Sequence, residues 1–453
     1  MNIRNWQNIV LLIISIAFYT FLSPMYTVGF ILMILANWGI GIFIEKESYS
    51  KLALIFAVIF NLSIMILFKY LDFLDFALNQ MFNLKIGMAL DLVVPIGLSF
   101  FILRAIGYQV DLYRHKVNAS KNLVHMGLYF AFFPTLVAGP LIGFQDFQEQ
   151  LENRKYTYKR FSSGICRFVV GLAKKVIIAN NLGMMVNQIF DLSTIGPSIY
   201  NVPASLAWLG IIAFSLYIYY DFSGYCDMAI GISLVLGFKM PENFKYPYAA
   251  KSLTQFWSRW NATVMAWFNE YLFMSLNKGL KKNKDVLIRN MFILWIVIGL
   301  WYGANWNFLL WGIWNGVFLI AEEFLNLKDG YKNGKLYYAA MNLVLILGWV
   351  VFRSKDLYQA GVYAGNMFCL NNNGVLSDIA FMYIKENFVL LTAAVILCMP
   401  VAQKINENLV KEPFNKGNGI LTVIYPFAML ILFVLTLIVL SVMGFSNFMF
   451  YRF

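Results

Sequence analysis

Two polar groups of residues interrupt apolar sequence in the middle of the chain, and their side chains could take part in binding or catalysis. The first group lies in FWSRWNATVMAWFNEYLF (256–273) and the second in GLWYGANWNFLLWG (299–312). The candidate residues are Arg259, Trp260 and Asn261 in the first group and Trp301, Tyr302 and Asn305 in the second. A carboxamide can orient a substrate or donate a hydrogen bond to a developing oxyanion, and a phenol can also donate.

Polar side chains inside a bilayer are costly and usually face a protein interior or a watery cavity. We therefore expect Asn261 and Tyr302 to lie near one another around a central cavity, although they are far apart in sequence. The alternative is that the region 254–316, which holds eight of the 12 tryptophans, supplies only aromatic anchors and helix-packing groups.

A further pair of carboxylates, Asp221 and Asp227, interrupts the apolar stretch YIYYDFSGYCDMAIGISLVLG. We predict a long helix bent at Gly224 that turns both carboxylates into the protein interior. Two carboxylates could serve a metal site or a proton relay. With no His or further carboxylate nearby, structural hydrogen bonding is favoured and no metal site is predicted. The helix that carries Lys174 and Lys175 is expected either to lie at the membrane interface or to straddle it, with the lysine side chains extending toward the interface.

Composition identifies the elements that must position these residues. The chain of 453 residues is 60% hydrophobic and only 13% charged, and its mean hydropathy is +0.66. Apolar runs long enough to cross ~30 Å of hydrocarbon as helices recur throughout. The sequence therefore predicts an all-α polytopic membrane protein. The net charge of +12 is explained by Lys and Arg in short loops between spans, so nucleic-acid binding is not expected.

We count about eleven membrane-crossing helices, together with re-entrant and interfacial helices, in a single domain covering residues 1–453. The spans that can be bounded are 7–23, 26–45, 52–69, 336–352, 381–399 and 420–444. We expect an interfacial helix at 72–88, a kinked or re-entrant helix at Pro134 and the Gly139-Pro140 pair, and a surface loop at 321–336. The lysine-rich loop from Lys278 to Arg289 should lie in the cytoplasm, because short basic loops are retained there.

The two central motifs resemble those of the membrane-bound O-acyltransferases, in the bacterial alginate O-acetylation branch. The resemblance extends in the same order to VPIGLSFFILRAIGYQVDLYR, RFVVGLAKKVIIAN, YDFSGYCDMAIGISLVLGFKMPENFKYP and the C-terminal SNFMFYRF. It implies helices around a tunnel that joins a cytoplasmic acyl donor to an acceptor on the far face. Residues expected to line that tunnel are Arg259, Trp260, Trp301, Asn305, Asp221 and Asp227.

The resemblance places the catalytic centre at Asn261 and Tyr302, where that branch usually has two histidines. A hydroxyl that attacks a thioester needs a general base, and His suits this task at neutral pH. Tyr, with a pKa of about 10, stays protonated and Asn does not titrate in that range. Eukaryotic members are similar to this chain in having Asn at the first position, so the change at Tyr302 is the more serious one.

Two functions therefore stay open. The first is an O-acyltransferase of the cell envelope or an exopolysaccharide, with acetyl as the expected acyl group. The second is a catalytically silent scaffold or acyl- and lipid-binding subunit. The resemblance implies no bound cofactor, an acyl donor such as acetyl-CoA or an acyl carrier protein at the cytoplasmic face, and an extracytoplasmic acyltransferase or polysaccharide acceptor. The expected location is the plasma membrane, where the chain would cross the bilayer many times.

Overall fold

The computed structural model describes residues 3–46, 50–82, 87, 90–192, 201–278, 284–328, 334–401, 419–444, 446 and 448–449. Throughout these ranges the regular elements are helices, as predicted. Their bounds are α1 (Ile3–Leu22), α2 (Thr27–Glu45), α3 (Ser50–Met65), α4 (Leu71–Phe82), α5 (Leu98–Tyr113), α6 (Leu123–Ala131), α7 (Phe144–Asn153), α8 (Tyr158–Ala173), α9 (Asn180–Leu192), α10 (Ala204–Val235), α11 (Leu253–Arg259), α12 (Ala262–Trp267), α13 (Met274–Leu276), α14 (Lys284–Tyr302), α15 (Trp306–Phe324), α16 (Lys335–Arg353), α17 (Leu357–Met367), α18 (Asp378–Glu386), α19 (Phe388–Leu397) and α20 (Gly419–Met443).

Eight helical segments within the described ranges have the length and hydropathy to cross a membrane, or nine if α18 and α19 form one bent span. This confirms a polytopic helical membrane protein. The predicted count of about eleven is higher partly because it included shorter helices. Helix α5 has 16 residues and α6 only 9, so neither reaches the length of a full span.

Four of the bounded spans agree with the structure: α1, α2, α16 and α20 match them within a few residues. Two segments differ from separate straight helices. A turn of π-helix at Ile66–Tyr70 carries α3 directly into α4, so the segment 72–82 continues the preceding helix, and its interfacial position stays a prediction. Residues 83–86, 88 and 89 of that prediction lie outside the described residues. The predicted span 381–399 bends by 70° between α18 and α19.

The chain forms no straight span through Pro134, as expected. Helix α6 ends at Ala131 and a short 3-10 turn, Phe133–Thr135, follows it. Proline cannot donate the next helical hydrogen bond and its ring clashes with the preceding turn. Arg104 of α5 donates hydrogen bonds to the carbonyl groups of Phe130 and Thr135, so the guanidinium satisfies acceptors near this break.

The chain divides into two compact units. The first comprises Met1–Ile165, Ala229–Glu242 and Ala266–Lys278, and the second comprises Cys166–Met228, Asn243–Met265 and Gly279–Phe453. In the first unit, side-chain amides of α2, α3 and α5 form a buried network: Asn37 and Asn61 exchange hydrogen bonds, and Gln109 donates to the Asn37 carbonyl. The second unit holds every candidate residue named above.

Candidate functional site

Asn261 and Tyr302 lie together in the second unit, as predicted, whereas the central cavity around them stays a prediction. The Asn261 Nδ2 atom donates to the Tyr302 hydroxyl across 3.4 Å, although 41 residues separate them in sequence. Both side chains are buried, with relative exposures of 0% and 5%. Tyr302 is the last residue of α14, whereas Asn261 lies in the turn between α11 and α12. The turn and the helix end thus form one buried polar centre.

The turn at Asn261 has a left-handed backbone, with φ of 47°. Asn, Asp and His occupy this region several times more often than other residues with a side chain. The side chain of Asn243 fixes the following turn, because its Oδ1 atom accepts from the Thr263 amide at 3.1 Å and from the Thr263 hydroxyl at 2.6 Å. The backbone at position 261 therefore favours the same short polar side chains that the resemblance implies, Asn and His.

Aromatic rings enclose the Tyr302 phenol. The rings of Trp301, Trp311 and Phe352 approach it edge-on, with centroids 5.1, 5.1 and 5.7 Å away. The phenol oxygen accepts the Asn261 Nδ2–H group inside this aromatic enclosure.

Glycines allow α14 and α15 to approach closely beside this centre. A Cβ atom at Gly299 would lie 2.4 Å from the Phe308 carbonyl oxygen, and one at Gly312 would lie 2.4 Å from that of Trp295. At Gly303 a Cβ atom would fall 1.9 Å from the Phe308 ring. Any larger residue at these positions would separate the helices and displace Tyr302.

The other residues of the two motifs have structural partners. Asn305 caps α15, since its Oδ1 atom accepts from the Phe308 amide at 3.0 Å. Trp260 is 1% exposed and stacks on Phe256, and the carbonyl group of half-buried Arg259 accepts from the Lys245 amide at 3.0 Å. Their lining of a tunnel, together with Trp301, stays a prediction.

Asp221 and Asp227 form ion pairs with the lysines that precede α9. The Lys175 Nζ atom lies 2.6 Å from Asp221, and neither side chain is exposed. Asp227 pairs with Lys174 at 2.7 Å and with Arg167 at 2.8 Å. This supports structural pairing over a metal site, and among the described residues no group of three His, Cys, Asp or Glu side chains could hold a metal ion. Lining of a tunnel by Asp221 and Asp227 stays a prediction.

The prediction that the two lysines extend toward the membrane interface was wrong for Lys175, which is fully buried. Its partner lies on α10, a continuous helix of 32 residues. Gly224 of α10 and Gly171 of α8 permit this contact, because a Cβ atom at Gly171 would lie 2.6 Å from the Gly224 carbonyl oxygen.

Glu322 is a residue that the sequence analysis missed. We predicted a surface loop from residue 321, but α15 continues to Phe324 and the Glu322 side chain is 2% exposed. Helical spacing gives a signal for its burial, because Trp311, Asn315, Leu319 and Glu322 follow one another at intervals of four, four and three residues and are all buried. Residues 329–333 of that loop lie outside the described residues.

Comparisons with known proteins identify the family of the chain. Residues 119–327 match the MBOAT, membrane-bound O-acyltransferase family. The chain is 35% identical to the "Probable alginate O-acetylase AlgI" of Pseudomonas syringae pv. tomato, over 81% of this chain and 70% of that protein.

The chain belongs to the membrane-bound O-acyltransferase family.

Two other members of the family show how far the similarity extends. The "Probable alginate O-acetylase AlgI" of Azotobacter vinelandii is 32% identical over 99% of this chain and 95% of its own length. The "Peptidoglycan O-acetyltransferase" of Helicobacter pylori is 31% identical over 80% of this chain and 73% of its own. The first of these alignments covers nearly the whole chain, including both central motifs.

Proposed function

We propose that this protein is an O-acyltransferase of cell-envelope polymers, with its reacting centre at Asn261 and Tyr302. The observation that carries the proposal is the buried contact between these two side chains. The names of the relatives point to acetyl as the acyl group and to a polysaccharide or peptidoglycan hydroxyl as the acceptor. The plasma membrane is the setting in which such a polymer could be reached.

The Asn261 carboxamide has a free acceptor for such a hydroxyl. Its Oδ1 atom is buried and, within the described residues, has no hydrogen-bond partner. A buried acceptor that is not paired costs about 1–3 kcal/mol, a cost that a bound hydroxyl group would remove. We infer that Oδ1 accepts from the attacking hydroxyl and so orients its oxygen toward the acyl carbonyl carbon.

Tyr302 would act chiefly as a hydrogen-bond donor. A phenol with a pKa of about 10 in water is a poor proton acceptor at neutral pH, but it can donate to the oxyanion that forms when a thioester carbonyl is attacked. The expected reaction is therefore acyl transfer without an efficient general base: the hydroxyl oxygen bonds to the acyl carbon, the bond from that carbon to the thiol sulfur breaks, and the hydroxyl proton passes to the departing thiolate. Such a centre would be slow, because general-base catalysis contributes about 10²–10⁴-fold.

The donor and the acceptor are proposed to reach the centre from opposite faces of the membrane. The lysine-rich segment 278–289 would face the cytoplasm and attract the phosphates of coenzyme A or an acidic acyl carrier protein. Residues 279–283 of this segment lie outside the described residues. A single cysteine introduced at Lys282 should resist an impermeant thiol reagent in intact cells, and ready labelling from outside would reverse the proposed orientation.

The function itself is tested by measuring the ester-linked acetate that mild alkali releases from purified envelope polymers. Cells with and without the gene are compared, and the gene is then restored. We expect the ester to fall on deletion, to return with the unchanged chain, and to return less with Asn261→Gly. An ester content that deletion does not alter would contradict the proposal.

A silent scaffold is the second candidate, because Tyr302 occupies the position at which a base is expected. In that case the deletion would lower acylation only through loss of a partner, and both Asn261→Gly and Tyr302→Phe would restore acylation fully. Equal restoration by all three chains therefore distinguishes the scaffold from the transferase.

A further inference from the structure

We propose that Glu322 is a positioning residue for this centre. Its carboxylate would hold the N-terminal end of α11 so that the turn after that helix presents Asn261 to Tyr302. The proposal rests on the proposed function for its effect on acyl transfer, but its structural claim can be tested without any transfer.

The Glu322 carboxylate accepts four hydrogen bonds from two elements. Its Oε1 atom accepts from the Leu253 amide at 2.7 Å and from the Tyr337 hydroxyl, and its Oε2 atom accepts from the Thr254 amide at 2.9 Å and from the Thr254 hydroxyl. Leu253 and Thr254 begin α11, and Tyr337 lies near the start of α16. One buried carboxylate therefore connects α15 to the first turn of α11 and to α16.

Helix α11 needs such a connection because it has only seven residues. Isolated helices of this length are not stable, so tertiary contacts must fix its position. Its first N–H groups also have no partner within the helix. The Ser252 side chain accepts from the Gln255 amide, and Glu322 accepts from the two amides before it. Together they satisfy the three consecutive amides of the first turn.

The same helix, α15, also supports the other half of the centre. The Trp311 ring packs edge-on against Trp257 of α11, at 5.5 Å between centroids, and against Tyr302 at 5.1 Å. Glu322 thus holds α11 on the helix that also packs against the phenol. Its loss should let α11 shift relative to Tyr302, and a displacement of about 1 Å can cost on the order of 10²-fold in rate.

The chain provides a matched control in the neighbouring residue. Glu323 is half-buried and pairs with Lys328 after the end of α15. Glu322→Gln and Glu323→Gln remove the same charge one residue apart. An amide at position 322 keeps one acceptor oxygen but presents N–H groups to donors, so at least one hydrogen bond to α11 is lost. Tyr337→Phe is a milder variant, because it removes one donor and leaves the carboxylate in place.

The structural claim is tested by cross-linking. Cysteines replace Asn261 and Tyr302, and a short thiol reagent joins them in membranes that contain the full chain. We expect Glu322→Gln to lower the cross-linking rate about tenfold, Tyr337→Phe to lower it less, and Glu323→Gln to leave it unchanged. Gel filtration of the extracted proteins restricts the comparison to folded chains. An unchanged rate in folded Glu322→Gln protein would overturn the proposal.

Acyl transfer gives the second measurement. In chains that retain Asn261 and Tyr302, we expect Glu322→Gln to lower kcat by about 10²-fold while KM for the donor stays nearly constant, because the contacts that bind the donor are not altered. An increase in KM alone would overturn the positioning role. If the unchanged chain transfers no acyl group, the proposed function fails, and the cross-linking result still decides whether Glu322 positions α11.

Discussion

Two polar clusters in the second unit are buried, but they differ in how their polar atoms are paired. Around Asp221, charged groups are fully paired: one carboxylate oxygen accepts from Lys175 and the other from the Met449 amide at 2.9 Å. Around Asn261, the groups are neutral, the backbone is left-handed, and a buried acceptor lacks a partner within the described residues. The first cluster is complete without a ligand, whereas the second has a hydrogen bond to offer.

This difference distinguishes a structural ion pair from a candidate functional site. Strained backbone and an unpaired buried acceptor both cost free energy, and such features tend to occur where a ligand or a reaction compensates for them. The ion pair at Lys175 also connects the end of the chain to α10, because Lys175 donates to Ser446 and lies 4.5 Å from the Phe448 ring centroid. Three predictions test whether the two clusters differ as described.

The largest expected effect is on the charged cluster. Lys175→Met leaves the buried Asp221 carboxylate without its cation, which should lower the free energy of unfolding by about 3–5 kcal/mol. The double variant Lys175→Met/Asp221→Leu should recover most of that loss, since no buried charge remains. Thermal unfolding of the protein in detergent measures both. Equal destabilisation by the single and double variants would show that the burial of an unpaired charge does not determine the stability of this cluster.

A smaller effect is expected at the turn of the neutral cluster. Asn261→Ala places a Cβ atom on a left-handed backbone without the local hydrogen bonds of Asn, at a cost of about 1–2 kcal/mol in stability. Asn261→Gly, which adopts this conformation readily, serves as the control and should unfold close to the unchanged chain. The same unfolding assay applies. If the Ala and Gly variants are equally stable, the left-handed backbone at position 261 does not determine which residues are tolerated there.

The smallest effect is expected at Lys174. Asp227 retains Arg167 at 2.8 Å when Lys174→Met removes one cation, and the lysine side chain is 24% exposed. Stability should fall by less than about 1 kcal/mol. The control is Arg167→Met, which leaves Lys174 in place and should behave similarly. A loss as large as that of Lys175→Met would mean that exposure does not distinguish the two lysines.

Much of the fold could be predicted from the sequence, because long apolar runs specify spans directly. The contact between Asn261 and Tyr302 was predicted for a similar reason. Polar groups in apolar helices are costly when they face lipid, so they tend to face each other in the protein interior. The bounds of α16 and α20 follow from charged residues and turns at the ends of these two helices. These features depend on local composition.

What could not be predicted depends on which helices become neighbours. Lys175 and Asp221 are 46 residues apart, and neither segment contains a sequence signal that identifies the other as its partner. Gly171 and Gly224 hold the only local signal, since two glycines can mark a close helix contact. The burial of Glu322 was missed because two adjacent acidic residues followed by a polar segment are typical of a surface, although only the second of them is partly exposed.

The central claim is that Tyr302 occupies the place of a catalytic base in a centre otherwise arranged for acyl transfer. The most direct test compares the unchanged chain with Tyr302→His, at matched protein levels, by the rate of acyl incorporation into envelope polymer. We predict measurable transfer by the unchanged chain and at least ~10²-fold faster transfer by the histidine variant. Robust transfer that Tyr302→His leaves unchanged would contradict this account, because a missing base at position 302 would then not limit the reaction.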